Sequence, residues 1–167
     1  MPESTNIRNK RDGTWLLADS GAAHTYTIAY EPGDGSYNVP GVSVDNYLDR
    51  GSFGAVPSLR DVDDQPMTVG FSAYLRDLGS ASYATLLDIA HRYAAGYVLG
   101  NWISTLGSGT GVTFTITVTL TINGSAFGES DKSVAFPFVV FRANAKEGSP
   151  NTVDCSGTSY AIKPIFA

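Results

Sequence analysis

Val112-Thr113-Phe114-Thr115-Ile116-Thr117-Val118-Thr119-Leu120-Thr121-Ile122 is the stretch that decides the fold. Apolar and hydroxyl side chains alternate across it without an error. Only an extended strand, whose side chains leave opposite faces with a period of two, turns that pattern into one dry face and one wet face. At roughly 3.3 Å per residue the segment would reach about 36 Å, well beyond a common strand of five or six residues. Val112, Phe114, Ile116, Val118, Leu120 and Ile122 are assigned to a core. Thr113, Thr115, Thr117, Thr119 and Thr121 form a ladder of hydroxyls on β-branched stems, which on its own reads as an ordinary solvent face with good strand propensity.

The neighbouring segments continue the same architecture. Asn123 to Asp131 reads as a turn, with Asn-Gly at its start, and Ser133 to Arg142 as the partner strand. Pro137 would remove a ladder donor, so it is placed at a bulge or on a side where no bond is needed. Tyr160 to Phe166 gives a last strand. Upstream, Thr14 to Ala18 and His24 to Tyr30 form a hairpin about Asp19-Ser20-Gly21, and Met67 to Arg76 alternates with Met67, Val69, Phe71, Ala73 and Leu75 on the dry side. One helix is predicted over about 82–95: Tyr83, Leu86, Leu87, Ala90, Tyr93 and Ala94 make an apolar stripe, Ser80 or Ser82 caps it, and Gly96 stops it. Asp88 and Arg92 are read as an exposed pair four residues apart. Between Glu31 and Pro66 lies a long loop, rich in Gly, Pro and Asp, with a weak strand signal only at Val42 to Leu48. A loop of that length in a compact domain is functional or disordered, and its Tyr37, Val39, Val42, Tyr47, Leu48, Phe53 and Leu59 argue for function.

Composition sets the outer bounds. A chain of 167 residues is one domain, residues 12–167, behind a polar N-terminal arm, 1–11. Its 43% hydrophobic content is enough for a core, and 18 Gly, 8 Pro and many Thr and Ser favour strands and turns over helices. A net charge of −5 argues against binding to phosphate backbones. The single cysteine, Cys155, excludes an intrachain disulfide. The polar start and the short apolar run Phe136 to Phe141 offer neither an export signal nor a membrane span, so synthesis in a cytoplasm and no membrane partner are expected.

Catalysis requires converging groups, and they are sparse. Cys155 lacks an activating neighbour and is read as an inert thiol near a turn, and His91 as a structural group at the end of the helix. Asp61-Val62-Asp63-Asp64 lacks the spacing of a calcium loop. Gly107-Ser108-Gly109-Thr110-Gly111 lacks the lysine of a phosphate cradle. Neither an enzyme nor a cofactor is expected. Trp15, Trp102 and nine Tyr leave open a sugar-stacking platform on a β-sandwich.

Three short segments add a resemblance: Tyr26-Thr27-Ile28-Ala29-Tyr30-Glu31-Pro32-Gly33-Asp34, Tyr47-Leu48-Asp49-Arg50-Gly51, and Arg60-Asp61-Val62-Asp63-Asp64-Gln65-Pro66. With the strand and helix that follow as far as Gly96, they resemble the major tail-tube proteins of long, non-contractile-tailed bacteriophages, a family related in fold to contractile-tail and type VI secretion tubes. The resemblance implies a mainly β protein, a β-sandwich with one flanking helix, whose inner sheets join those of five other copies into a barrel within a hexameric ring. It further implies stacked rings forming a conduit for phage DNA, a place in the virion tail, and tape-measure, tail-tip or terminator proteins as partners. DNA would pass without specific binding. Tyr37, Val42, Tyr47, Leu48, Asp49, Arg50 and Phe53 would belong to an inter-ring loop, and Thr113, Thr115, Thr117, Thr119 and Thr121 would face the lumen. A secretion-tube or tail-terminator relative of the same fold, and a monomeric carbohydrate-binding sandwich, are the alternatives.

Overall fold

The computed structural model describes residues 13–28, 35–41, 43–48, 55–60, 65–76, 83–91, 102–106, 114–125 and 128–167. In chain order the elements are β1 (Gly13–Ala18), β2 (Thr25–Ile28), β3 (Ser36–Asn38), β4 (Ser43–Leu48), β5 (Ala55–Arg60), β6 (Met67–Tyr74), α1 (Leu86–His91), β7 (Ile116–Ile122), β8 (Lys132–Lys146), β9 (Thr152–Ser159) and β10 (Ile165–Phe166). The protein is mainly β, with one short helix. Eight strands form one sheet in the order β2-β1-β7-β8-β9-β6-β3, with β10 also on β8, and β4 pairs with β5 apart from it. Every pairing is antiparallel. No helix among the described residues is long and apolar enough to cross a membrane.

The long loop contains more structure than its composition suggests. β3 pairs with Thr68 to Gly70 of β6, and β4 and β5 form a hairpin in register from Ser43↔Arg60 to Leu48↔Ala55. These strands are short and broken by Gly and Pro, so no alternation long enough to read survives in the sequence. β9 is a second addition. Its buried side is Val153, Cys155, Gly157 and Ser159, small residues that give no hydrophobic pattern. Cys155 is therefore a buried mid-strand residue and not a neighbour of a turn.

The alternating strand begins later than its pattern. Phe114 and Thr115 precede β7, which starts at Ile116, and residues 112 and 113 lie outside the described residues. Thr115 is held by a loop instead of a ladder: Thr105 N–H donates to its carbonyl (3.1 Å), and its own N–H donates to Ser104 Oγ (3.2 Å). The expected bulge in β8 is present. Ile116 pairs with Val139 but Val118 with Phe136, so three residues of β8 are spanned against two of β7. The extra residue falls at Pro137-Phe138, and Phe138 takes a φ of 55°. Ser159 Oγ donates to the Pro137 carbonyl (2.5 Å), and Tyr160 N–H to the Phe138 carbonyl (3.2 Å), which accounts for the carbonyls the bulge displaces.

The helix also differs in its start. Asp88 is buried and closes a reciprocal cap with Thr85. Asp88 Oδ2 accepts from Thr85 N–H (2.9 Å) and from Thr85 Oγ1 (2.8 Å), while Asp88 N–H donates to Thr85 Oγ1 (3.4 Å). Thr85 is the cap, so Asp88 is not an exposed partner for Arg92. Ser80, Ser82 and residues 92–95 lie outside the described residues.

The sheet is strongly curled. β1 and β6 are four steps apart along it, which in a flat sheet would separate them by roughly 19 Å. Yet the Trp15 and Phe71 rings stack at 5.1 Å between centroids, and Tyr37 of β3 lies 5.3 Å from Phe136 of β8. The apolar faces of the two ends thus meet over one core that includes Trp15, Leu17, Phe71, Ile116, Val118, Phe136, Val139, Phe141 and Val153, with Leu86 and Ile89 of α1 added. Full burial of each large apolar side chain contributes about 1.5–3 kcal/mol. Two glycines permit the close packing: a Cβ at Gly35 would stand 2.8 Å from Trp15 Nε1, and one at Gly157 would overlap Val139 Cγ1 and stand 3.0 Å from Val69 Cγ2. The curl stops short of a closed barrel.

Candidate functional site: an uncharged sheet face between two edges

The register aligns β2, β1, β7, β8 and β10 as a five-stranded slab. Thr27, Leu16, Thr119, Ala135 and Ile165 lie side by side across it, and Ile28, Trp15, Leu120, Val134 and Phe166 form the next row. Because side chains alternate, the first row belongs to one face and the second to the other. The second face carries Trp15, Leu17, Val118 and Phe136 and is the core side. The first carries Thr14, Leu16, Thr25, Thr27, Thr117, Thr119, Thr121, Ser133, Ala135, Pro137 and Ile165. None of these is ionisable.

Thr117, Thr119 and Thr121 are half-buried and sit on the central strand of that face. Thr115 does not share it. The residue is fully buried, and its Oγ1 lies 2.8 Å from Thr105 Oγ1 while accepting the Leu106 N–H (3.1 Å). Its hydroxyl organises a loop, a role indistinguishable in the sequence from that of its neighbours. Thr113 lies outside the described residues. Of the loop set, Tyr37 is part-exposed in β3 and packs on Phe136 of the same chain. Tyr47 and Leu48 are on β4, and Val42, Asp49, Arg50 and Phe53 lie outside the described residues.

At the β2 edge, the chain is locked by Asp19. Burial alone would raise the pKa of its carboxyl. The His24 N–H (3.0 Å), the His24 ring (2.9 Å), the Ile103 N–H (3.3 Å) and the charge of His24 outweigh that and hold it below the ordinary carboxylate value. Ser20 N–H donates to the Ile103 carbonyl (2.9 Å) and the His24 ring stacks on Trp102 (6.3 Å between centroids), so the hairpin turn and the 102–106 loop are tied together. Trp15 and Trp102 are both buried, which removes them from any sugar-stacking surface. Beside β2 runs a groove of about 440 Å³, lined by Thr25 to Ile28, by Ala73, Tyr74 and Arg76 at the end of β6, and by Tyr83 and Leu86 at the start of α1. It is the gap left where the curled sheet does not close.

At the other edge, Tyr160, Ile162, Ile165 and Phe166 are exposed. At the end between the two edges, the Asn123-Gly124-Ser125 turn is fixed by Asp131. The N–H groups of Gly124 (2.8 Å) and Ser125 (3.0 Å) donate to its carboxylate and hold its pKa below the usual range. Among the described residues, no group of three or more His, Cys, Asp or Glu comes together.

No family model matches the chain, and no curated protein matches it. Among solved structures the chain is similar to a chain of an extracellular contractile injection system, the PVC sheath-tube complex in its extended state. The TM-score is 0.54 at 8% identity, over 98% of this chain and 93% of that one. The likeness is one of fold and runs nearly the whole length of both.

Proposed function

We propose that the chain is a structural tube subunit, the major tail-tube protein of a long non-contractile phage tail. Residues 12–167 form the tube domain and 1–11 an arm; six copies close a ring, and stacked rings make the conduit for DNA. The observation that carries this reading is the fold shared, end to end, with a chain of a sheath-tube complex. The uncharged hydroxyl face supports it physically. A bore that passes DNA must offer phosphates no strong partner, and Thr117, Thr119 and Thr121 on stiff stems supply wetting without a cation. A net charge of −5 on each copy adds a repulsive background. In this reading the sheets of neighbouring copies complete one another as a sandwich-like, closed barrel, and Tyr47 and Phe53 bury at an inter-ring contact. The chain has no catalytic role.

Electron microscopy of the purified protein across a concentration series tests the assembly. Stacked tubes are expected; isolated rings would favour a terminator, and a permanent monomer that binds oligosaccharides would sink the reading. Thr117→Lys tests the bore. Six ammonium groups per ring should pair with phosphates and retard DNA delivery, most at low ionic strength, while leaving assembly intact.

A further inference from the structure

The two edges of the slab match each other. β9 and β10 run along the same side of β8. From Ser159↔Val139 to Ile165↔Ala135 the chain uses six residues against four of β8, so two residues bow out at the bend around 161–163, opposite the Pro137-Phe138 bulge. β6 ends its pairing at Met67↔Ser159, and no strand among the described residues flanks β10. The segment is left bare: Tyr160, Ile162, Ile165 and Phe166 are 63%, 75%, 59% and 69% exposed. Ile165 and Phe166 leave opposite faces of the strand, so large apolar side chains stand open on both faces of this edge.

Resting on the tube reading, we propose that β10 of one copy enters the groove beside β2 of the next and adds to that edge as a parallel strand. Strand direction follows from parity. Directions alternate across β2, β1, β7, β8 and β10, so the first and the last of these five strands run the same way. A second copy that continues the slab by rotation therefore sets its β2 parallel to β10. The contact is head-to-tail, which closes rings and not pairs.

Hydrogen-bond phase agrees. Ala167 and Ser133 exchange both backbone bonds (2.8 and 3.0 Å), so the N–H and C=O of Phe166 point away from β8. Asp19 N–H donates to the His24 carbonyl (3.1 Å), which sets the phase of the β1–β2 hairpin and turns the backbone groups of Thr25 and Thr27 outward. In a parallel ladder one residue bonds to the two that flank its opposite number. Phe166 N–H can thus donate to the Thr25 carbonyl of the next copy, and its carbonyl can accept the Thr27 N–H. Phe166 lies on the core-side row with Trp15 and Ile28, so its ring enters the groove toward Tyr74, Tyr83 and Leu86. Ile165 falls in the uncharged row and extends that face across the joint.

Two measurements test this on the full chain. In an Ile165→Cys, Thr25→Cys double variant, oxidation should produce a ladder of covalent oligomers ending at the ring. Within one copy the two sites are four strands apart on the face turned away from the core, where the curl spreads the strands instead of bringing them together, so an internal bond is out of reach. Cys155 is buried and does not compete. In Phe166→Asp, the concentration needed for assembly should rise at least tenfold while the melting temperature of the monomer stays within a few degrees. Wild-type tubes with either no cross-linked ladder or normal assembly of Phe166→Asp would overturn the β10 contact and leave the tube reading standing. A wild-type protein that never assembles removes both. A monomer that takes oligosaccharides into the groove, with binding lost in Tyr74→Ala, also overturns it.

Discussion

β9 and β10 are one strand in two environments. Both pair with β8, yet Val153, Cys155, Gly157 and Ser159 are buried between β6, β8 and the core, while among the described residues no second strand flanks Ile165 and Phe166, which stay exposed. Chemistry inverts accordingly. The covered half is built from small residues because β6 and β8 crowd it on both sides, and the bare half carries large apolar ones. A subunit that folded only for itself would gain more from the opposite arrangement, since exposed large side chains contribute little and an open strand edge invites association. The difference places the packing in β9 and the open edge in β10, with the Pro137-Phe138 bulge as the boundary; under the proposed contact, stability would reside in the first and association in the second.

Overfilling the covered half should give the largest effect. Gly157→Val places atoms inside the space held by Val139 Cγ1 and Val69 Cγ2, in the middle of two ladders where the backbone cannot retreat. Destabilisation of about 3 kcal/mol is expected by denaturant titration of the monomer. A value below about 1 kcal/mol would mean that β6 and β8 are not locked against β9, and the contrast with β10 would lose its basis.

A smaller effect separates the two halves by chemistry. Burial, and secondarily the charge of Asp154, push the Cys155 thiol up to about 12. Its folded-state pKa is raised, so its contribution is complete below the unfolded value of about 8.5 and is lost as the pH climbs toward 12. Between pH 8.5 and 9.5 the wild type should lose about 1 kcal/mol more than Cys155→Ala, and Cys155 should label only on unfolding. A thiol introduced as Ile165→Cys should label in the native monomer at the rate of a free thiol. Fast labelling of Cys155 would show that the covered half opens.

Much of this contrast was hidden in the sequence, for physical reasons. β7 was legible because one face is apolar and the other hydroxyl, and Pro137 announced its bulge by lacking a donor. β9 was not, because Cys155, Gly157 and Ser159 are chosen for closeness and not for hydrophobicity; alternation of small residues with Asp154, Ser156 and Thr158 was the available signal. Thr115 looked like its neighbours because a hydroxyl that bonds to Thr105 and one that faces outward are the same side chain. The Thr85–Asp88 cap is written in the sequence as a Thr-x-x-Asp pattern, which the reading of Ser80 or Ser82 as the cap and of Asp88 as an exposed partner of Arg92 leaves unused. Tyr160 to Phe166 reads as one strand, but the chain bends at 161–163 and only Ile165–Phe166 pairs with β8; the bend answers the bulge in β8, and the exposure depends on where β6 ends, neither of which a local pattern encodes.

The smallest effect on folding should come from the bare half, and it is the most informative. Ile165→Ser removes a side chain that is 59% exposed in the single chain, and its pairing with Ala135 is made by the backbone. Monomer stability should change by no more than about 0.5 kcal/mol, the usual range for surface substitutions. Assembly should respond differently, because a contact repeated at every joint of a ring multiplies a small loss per interface. A modest rise in the assembly concentration, smaller than that of Phe166→Asp, is expected by light scattering, with no change in the melting temperature of the unassembled chain. A stability loss above about 2 kcal/mol in the monomer would place Ile165 in the subunit core, and β10 would then be an extension of β9 in energy as well as in sequence.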